Sequence, residues 1–389
     1  MLKIAIVQYR LLHYRLRLFE MLRDKLLTNG VELILVCGQA SDFERSRRDE
    51  GQLPWATMVK NKFVRIRGKD ILWQPLPASV QDAALIIVMQ ENRLISNYFF
   101  QIRSLFGGPL IGFWGHGRNY QSESPHGLRE RWKKLWLKRV DWWFAYTDGA
   151  RRYVASHGFP ESRITILENA IDSSGFQEDL DSITPAEIAQ VMFELSITID
   201  SRVAIYCGSI YKGKRMDVLL ESADLLRDLV SSFHLLVIGE GPESSYIREA
   251  AASRPWIHTL GPRKGREKAL YYRISHVMLN PGLVGLHIVD AFVAKTPLIT
   301  QASSSHGPEY DYLRQGENGI SVLTDDAAAY ANAVGEVLND PTRLMAMRAE
   351  CAVDAKRFTV ENMVDNFVAG ILDCLKANDR FRRGQEARN

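Results

Sequence analysis

Apolar runs alternate with amphipathic stretches along most of the chain, and this rhythm predicts strands alternating with helices. The first half has a predicted helix at 14–27 and six apolar runs that predict strands: KIAIV (3–7), VELILVCG (31–38), ALIIVM (84–89), PLIGFWG (109–115), WWFAY (142–146) and RITILEN (163–169). Continuous apolar strands separated by helices are typical of a parallel sheet that is covered on both faces.

A polar and acidic stretch at residues 171–200 interrupts this rhythm and predicts a linker over 173–200 with a short helix. The alternation restarts at Arg202 and predicts a second β/α domain. Its predicted strands lie at 203–210, 233–241, 257–261, 276–282, 297–300 and 319–323, and its predicted helices at 216–229, 243–252 and 285–295.

The length of the chain indicates two domains, and its uneven charge indicates that the two domains bind different partners. A chain of 389 residues exceeds one ordinary core. Residues 1–170 carry 26 Lys and Arg against 16 Asp and Glu, whereas residues 171–389 carry 23 against 30. The basic half is suited to phosphates, an anionic membrane surface or an acidic glycan.

Cysteine spacing and hydropathy exclude other classes. The four cysteines lie far apart and lack metal-binding spacing, so we expect reduced thiols and a cytoplasmic location. The sequence has no uncharged apolar run of about 18 residues, so no transmembrane helix is predicted. The start MLKIAIVQYR is predicted to be a strand and not a signal peptide.

The segment 280–300 has the features of an anion site. A predicted strand ends at Leu279, a glycine-containing turn reaches Gly285, and a helix begins near Leu286. Glycines let backbone N–H groups approach a ligand, and the free amides of a helix start attract a diphosphate. Asp290, one turn later, is placed to accept hydrogen bonds from ribose hydroxyls. The alternative is a tight turn followed by a solvated aspartate.

Five segments resemble, in order and spacing, the family-4 type of retaining glycosyltransferases of the GT-B fold. Its GRLVxxKGxxxLLEA, VIGxGPE and EGFGLPxLEAMAxGxPVI motifs are similar to three of them, and the likeness is nearest to a subgroup with PGxVGLxxxD. The five are CGSIYKGKRMDVLLESA (207–223), VIGEGPE (237–243), LGPRKGREKALYYRISHVMLNPG (260–282), GLVGLHIVDAFVAKTPLIT (282–300) and HGPEYDYLRQGENGISV (306–322).

The resemblance implies two Rossmann-like β/α/β domains that face a central cleft. Residues 1–172 form the acceptor-side domain, completed by a C-terminal helix at about 360–389, and residues 201–359 bind the donor. The expected donor is a nucleoside-diphosphate sugar. No metal, no other cofactor and no nucleic acid are expected, and the Asp179-Leu-Asp181 pair is interpreted as a chance match in an acidic linker.

Several donor-site residues follow from the resemblance, position by position. Lys214 matches the lysine that contacts the donor phosphates. Gly285 and Leu286 match the backbone amides that hold the diphosphate. Asp290 matches the ribose-binding glutamate but is one methylene shorter, and Arg263 lies in the loop that meets the base.

The chain departs from the family at two positions. Ser209 replaces the phosphate-binding arginine, and Arg215 is close enough in sequence to compensate. Gly282 replaces the glutamate that touches the donor sugar, so the identity of the sugar does not carry over.

On the acceptor side, the resemblance favours His116 as the key residue, in the tight loop FWGHGRNY (113–120). Arg118 and Asn119 are expected to bind acceptor or diphosphate. Arg15 is expected either to reach phosphate or acceptor, or to have a capping or surface role. In a retaining transfer the departing diphosphate itself accepts the acceptor's proton, so no carboxylate base is required.

The segment 128–143 mixes basic and aromatic residues, with Trp132 and Trp136 on one helix face beside Lys133, Lys134, Lys138 and Arg139. It is either an interfacial helix for anionic lipid or a helix with core tryptophans and solvated lysines.

The sequence thus predicts a metal-independent retaining glycosyltransferase that extends a surface glycan on a lipid carrier or lipopolysaccharide, peripheral to the inner membrane face. Two alternatives remain: a nucleotide-sugar epimerase, and a degenerate subunit that binds a nucleotide without turnover.

Overall fold

The computed structural model describes residues 1–45, 49–66, 69–104, 106–117, 136–302 and 305–386. The chain divides into two compact units. Unit 1 comprises Met1–Asp172 with Thr359–Asn389, and unit 2 comprises Ser173–Phe358.

Each unit contains a parallel sheet. Unit 1 has the strands β1 (Leu2–Gln8), β2 (Val31–Cys37), β3 (Thr57–Met58), β4 (Lys62–Ile66), β5 (Lys69–Trp73), β6 (Leu85–Met89), β7 (Leu110–Gly115), β8 (Trp142–Ala145) and β9 (Ile164–Ile166). Unit 2 has β10 (Arg202–Cys207), β11 (Phe233–Ile238), β12 (Ile257–Gly261), β13 (Val277–Leu279), β14 (Leu298–Gln301) and β15 (Gly319–Val322).

The described helices cover these sheets. They are α1 (Leu16–Thr28), α2 (Asp42–Arg45), α3 (Ile95–Ser104), α4 (Asp148–Ser156), α5 (Ser174–Ser182), α6 (Pro185–Glu194), α7 (Met216–Leu229), α8 (Ser244–Ala251), α9 (Gly265–Arg273), α10 (His287–Val293), α11 (Ala327–Leu338), α12 (Pro341–Arg357) and α13 (Val360–Glu386).

The strand order of each sheet determines where a ligand binds. It is β3-β2-β1-β6-β7-β8-β9 in unit 1 and β12-β11-β10-β13-β14-β15 in unit 2. All these strands are parallel, but the side of the sheet to which the chain adds its next strand changes between β1 and β6 in unit 1 and between β10 and β13 in unit 2. Ligands of open parallel sheets bind at the carboxyl ends of the strands that flank such a switch point.

The last helix is part of unit 1. In α13, Phe367 packs against Trp114 with ring centroids 5.1 Å apart. Gly370 passes so close to β9 that an added Cβ would lie 2.4 Å from Thr165 Oγ1. The core of unit 1 is therefore complete only when α13 has joined it.

Residues 173–200, predicted as a linker with a short helix, contain two helices, α5 and α6, and belong to unit 2. Phe176 of α5 packs on Tyr272 with ring centroids 5.4 Å apart, and Arg266 of α9 pairs with Glu187 of α6 at 2.8 Å. A few apolar contacts and ion pairs hold these helices, so their polar composition concealed them. The antiparallel hairpin β4–β5 was also absent from the sequence prediction.

Two half-buried histidines of unit 2 form a pair on neighbouring strands. His234 Nδ1 and His258 Nε2 are 3.0 Å apart, and the two ring planes differ by 15°. One ring must donate and the other accept, so the bond requires an unprotonated nitrogen. Burial, followed by the charge of His234, lowers the pKa of His258 from 6.5 to about 4.

This pair predicts a loss of stability in acid. Between pH 6.5 and pH 4 the unfolded chain binds protons that the folded pair excludes, so the free energy of unfolding falls as pH falls through this window. Chemical denaturation across that range should show a shallower decline for His258→Asn than for the exposed control His13→Asn. Equal slopes for the two variants would contradict the assignment.

Candidate functional site

The carboxyl ends of β10 and β13 bring two loops together at the switch point of unit 2. The first loop runs over residues 208–214 and the second over 280–286. The backbone N–H of Leu283 donates to Gly213 O at 2.9 Å, and Lys214 Nζ donates to Leu283 O at 2.5 Å. These bonds join the predicted phosphate lysine to the predicted diphosphate turn.

Lys214 lies almost entirely out of solvent, with 6% of its surface exposed. Burial lowers the pKa of its ammonium from 10.5 to about 8. A buried lysine with a single backbone carbonyl acceptor among the described residues is poorly compensated, and an anion placed beside it would restore its charge.

The two glycines of the second loop have different roles. A Cβ added at Gly282 would lie 2.4 Å from Gly213 O and from the carbonyl carbon of Lys214, so packing excludes a side chain there. A Cβ at Gly285 would meet only Leu283 Cδ2 at 3.9 Å and Glu309 Oε2 at 4.0 Å. The fold therefore requires Gly282, whereas the space beside Gly285 is available to a ligand.

Alanine substitutions should separate these roles. Gly282→Ala is expected to lower the free energy of unfolding by roughly 1–3 kcal/mol because the loop must move away from Lys214. Gly285→Ala should change it by less than about 0.5 kcal/mol and still weaken nucleotide binding. Chemical denaturation and calorimetry with UDP measure the two effects. Unimpaired UDP binding by Gly285→Ala would remove the space beside Gly285 from the site.

His306 holds the second loop in place. Its Nδ1 accepts from the backbone N–H of Val284 at 3.2 Å, and its Nε2 donates to Gln301 O at 2.8 Å. These two bonds require the neutral ring. Burial lowers the pKa of His306 and so also favours the neutral form. The sequence did not predict this role, because the two partners lie 22 and 5 positions away along the chain.

Asp290 lies in α10, one turn beyond the loop, and has a partner that the sequence did not reveal. Its Oδ2 is 2.7 Å from Lys268 Nζ of α9, and both side chains are largely buried. Lys268 also lies over the ring of Phe176, 4.2 Å from its centroid. The ammonium thus fixes one oxygen of Asp290.

Arg215 is paired with two carboxylates. It adopts a left-handed backbone conformation with φ of 55°, and its guanidinium pairs with Asp217 and, at 2.6 Å, with Asp325. Ser209 is exposed, and its carbonyl accepts from Tyr206 Oη at 2.7 Å. The role of Arg215 in compensating for Ser209 stays a prediction.

Arg263 follows β12 at the far end of the sheet from β13. It forms an ion pair of 3.6 Å with Glu267, one turn along α9, and remains partly exposed. The structure thus brings together Lys214, Gly285, Leu286 and Asp290 at the β10–β13 switch point and places Arg263 two strands away.

In unit 1, His116 follows β7 and is half-buried, with its ring centroid 6.2 Å from that of Tyr146. Gly117 has φ of 68°, and an added Cβ would lie 2.8 Å from Val154 Cγ2. The glycine therefore allows the tight turn that was predicted around His116. Arg118 and Asn119 lie outside the described residues.

Arg15 is directed into unit 1. Its guanidinium donates to Asn169 Oδ1 at 2.5 Å and to Ala170 O at 3.3 Å, and it lies over the rings of Tyr14, Trp114 and Tyr146. The expected capping and surface roles are wrong, because the side chain is buried and makes no helix-capping hydrogen bond. The expected contact with phosphate or acceptor stays a prediction.

The β1–β6 switch point of unit 1 carries a charged network that sequence analysis missed. Arg93 donates to Glu91 at 2.6 Å and to Glu44 at 3.1 Å, and it lies 4.5 Å from the Tyr9 ring centroid. Arg10 donates to Tyr9 Oη at 3.0 Å. Only the strand order places these residues together, since they come from three separate loops.

The segment 128–143 is described only from Trp136 onward, so Trp132, Lys133 and Lys134 lie outside the described residues. Trp136 packs against Tyr98 with ring centroids 5.1 Å apart, while Lys138 and Arg139 are exposed. In the described part, the tryptophan thus packs against another ring of unit 1 and the basic side chains face solvent, as in the second of the two alternatives.

Among the described residues, no helix is both long and apolar enough to cross a bilayer. Within the same ranges, no three His, Cys, Asp or Glu side chains are grouped to hold a metal ion.

Residues 201–340 match the group 1 family of glycosyl transferases. The matched stretch covers roughly a third of the chain. It contains Lys214, both glycines of the second loop and Asp290. The subgroup likeness through PGxVGLxxxD stays a prediction.

Among curated relatives, this chain is similar to the alpha-monoglucosyldiacylglycerol synthase of Acholeplasma laidlawii. The two are 28% identical over 167 residues, which cover 41% of this chain and 40% of the synthase. The chain spans about half the length of the curated relatives it matches.

Solved structures cover both units. Anabaena Alr3699/HepE in complex with UDP aligns with a TM-score of 0.66 at 13% identity, over 95% of this chain and 99% of that one. The lipopolysaccharide outer core galactosyltransferase WaaB aligns with a TM-score of 0.64 at 14% identity, over 95% and 99%. The predicted fold class, GT-B with two Rossmann-like domains, is confirmed.

Proposed function

We propose that this protein is a retaining glycosyltransferase that transfers a sugar from a nucleoside-diphosphate sugar to a glycan or lipid-linked acceptor. The observation that carries the proposal is the buried, poorly compensated ammonium of Lys214 against the 280–286 loop, at the switch point where parallel sheets bind ligands.

The diphosphate would lie beside Lys214 and the backbone N–H groups of Gly285 and Leu286. Charge grows on this group as the bond to the sugar breaks. Lys214 neutralises that charge from a fixed position, which is the main contribution available to a protein in such a transfer. Because the departing diphosphate accepts the acceptor's proton, no metal and no carboxylate base take part in the proposal.

The nucleoside end would extend toward Asp290 and then Arg263. Lys268 positions Asp290 so that its second oxygen accepts from a ribose hydroxyl. Arg263, beyond β12, would stack on the base. Sugar recognition lacks the family's carboxylate, because the packing of Gly282 on Lys214 excludes any side chain at that position.

The acceptor would be a cell-surface polysaccharide or lipopolysaccharide intermediate, bound on the unit 1 side with His116 at the transferred sugar. Similarity to a glucosyldiacylglycerol synthase and to a lipopolysaccharide galactosyltransferase supports this class. A cytoplasmic protein bound to the inner membrane face would meet such lipid-linked acceptors.

Calorimetry with UDP and GDP tests the donor site first, and UDP is the starting choice because the Anabaena neighbour was solved with it. Assays of sugar release and transfer across donor sugars then test turnover. Binding of one nucleotide together with turnover of its sugar supports the proposal. Absence of binding by either nucleotide would contradict it.

One observation favours a second function, a nucleotide-binding subunit without turnover. Arg215, the expected replacement for the arginine missing at Ser209, is paired with Asp217 and Asp325. Tight nucleotide binding without turnover of any donor, with glycolipid and polysaccharide acceptors present, would support this subunit and exclude the transferase.

A further inference from the structure

Helix α3 exposes three large apolar side chains to solvent, although its Phe100 packs into the core. Ile95, Phe99 and Ile102 are 44%, 50% and 45% exposed, and their spacing of four and three residues places them on one face of the helix. Phe106, just beyond the helix, is 85% exposed. A helix on a water-facing surface normally shows the opposite arrangement.

The inward face of α3 carries Phe100 together with the polar Ser96, Asn97 and Gln101, and it fixes this orientation. Asn97 Nδ2 donates to Met89 O at 2.8 Å. Gln101 Nε2 donates to Trp136 O at 2.9 Å and to Arg139 O at 3.0 Å. Both side chains are buried, so a rotation that covered Phe99 would leave buried polar groups without partners. The outward apolar stripe is therefore held by the fold.

The hairpin β4–β5 extends the stripe. Trp73 packs edge-on against Phe99 with ring centroids 6.0 Å apart, and Trp73 and Val64 are both exposed. Lys62 pairs with Trp73 across the hairpin, and Val64 pairs with Ile71. Side chains alternate along a strand, so these four share one face. We call Ile95, Phe99, Ile102, Phe106, Val64 and Trp73 the α3 surface.

The charges around the α3 surface are basic. Residues 62–73 contain Lys62, Arg65, Arg67 and Lys69 against Asp70 as the single acid, and residues 95–106 contain Arg103 as their single charged residue. The described side chains of Lys62 and Arg103 are exposed, whereas Arg65 lies on the opposite face of the hairpin and pairs with Asp70 at 4.0 Å. Aromatic and aliphatic groups with cations on one side match the headgroup region of an anionic bilayer.

We propose that the α3 surface docks this protein on an anionic lipid bilayer. Singly exposed apolar residues are ordinary, but a continuous stripe held outward by buried amides and bordered by cations points to one occupant. The aromatic and aliphatic groups would enter the acyl boundary while Lys62 and Arg103 meet lipid phosphates. This proposal rests on unit 1 alone and is independent of the donor site.

Vesicle sedimentation of the full chain tests it. The probes are vesicles of phosphatidylglycerol and phosphatidylcholine in equal parts, and vesicles of phosphatidylcholine alone. We expect preferential binding to the first. The double variant Phe99→Glu with Ile102→Glu should have a partition coefficient between vesicles and water that is about tenfold lower or more, because two apolar side chains no longer enter the bilayer.

The matched control is Phe193→Glu with Ile199→Glu, at two positions of unit 2 that are 81% and 86% exposed. It should bind vesicles like the wild type. Circular dichroism spectra and thermal unfolding transitions like those of the wild type show that both double variants are folded. Equal vesicle binding by the wild type and the α3 variant would overturn the proposal. A second outcome would also overturn it: a wild type that is dimeric in the absence of vesicles, with an α3 variant that is monomeric. The α3 surface would then bind a second copy of the chain instead of lipid.

Discussion

Lys214→Ala is expected to weaken UDP binding by roughly tenfold or more, because a charge-assisted contact to the diphosphate is lost. Calorimetry measures the change directly. Lys212→Ala is the matched control: it removes an exposed lysine two residues away in the same loop and should leave the affinity unchanged. Equal affinities for the wild type and Lys214→Ala would remove this lysine from the site.

The same lysine gives the binding a pH dependence. The pKa of Lys214 in the empty site is about 8, so the ammonium is charged below pH 8 and loses its proton above it. A bound diphosphate favours the charged form. Affinity should therefore fall as pH rises through 8, with proton uptake on binding, and this slope should be absent in Lys214→Ala.

His116→Ala is expected to lower the transfer rate on the order of 100-fold while sparing nucleotide affinity. His116 belongs to unit 1, whereas Lys214 and Asp290 belong to unit 2, and its proposed partner is the transferred sugar. Steady-state transfer and UDP calorimetry on the same sample provide the two readouts. A matched loss of rate and UDP affinity would show that His116 supports the fold or the nucleotide instead.

Much of the fold could be predicted because its strands are buried on both faces. Ile4–Val7 and Leu235–Ile238 read as continuous apolar runs, and the alternation with helices followed from them. The hairpin β4–β5 could not be predicted this way, since basic residues interrupt its apolar positions. The helices α5 and α6 were concealed because tertiary contacts with α9 stabilise them more than their own patterns indicate.

The sequence also predicted some residues of the candidate site and not others. Lys214, Gly285 and Asp290 lie in segments whose spacing is local, so the sequence located them. The direction of Arg215, the burial of Arg15 and the pairing of Asp290 with Lys268 depend on residues 22 to 155 positions away. No periodic pattern encodes such contacts, and only the assembled sheets reveal them.

The return of α13 to unit 1 has a consequence for synthesis at the ribosome. Unit 2 is one continuous stretch, 173–358, and can complete its core as soon as it has emerged. Unit 1 emerges first but must wait for residues 359 onward before Trp114 and Phe144 gain Phe367 as a neighbour. Chaperones should therefore protect the nascent first unit for the whole time that the second is translated, and chains halted near residue 358 should aggregate through that uncovered groove.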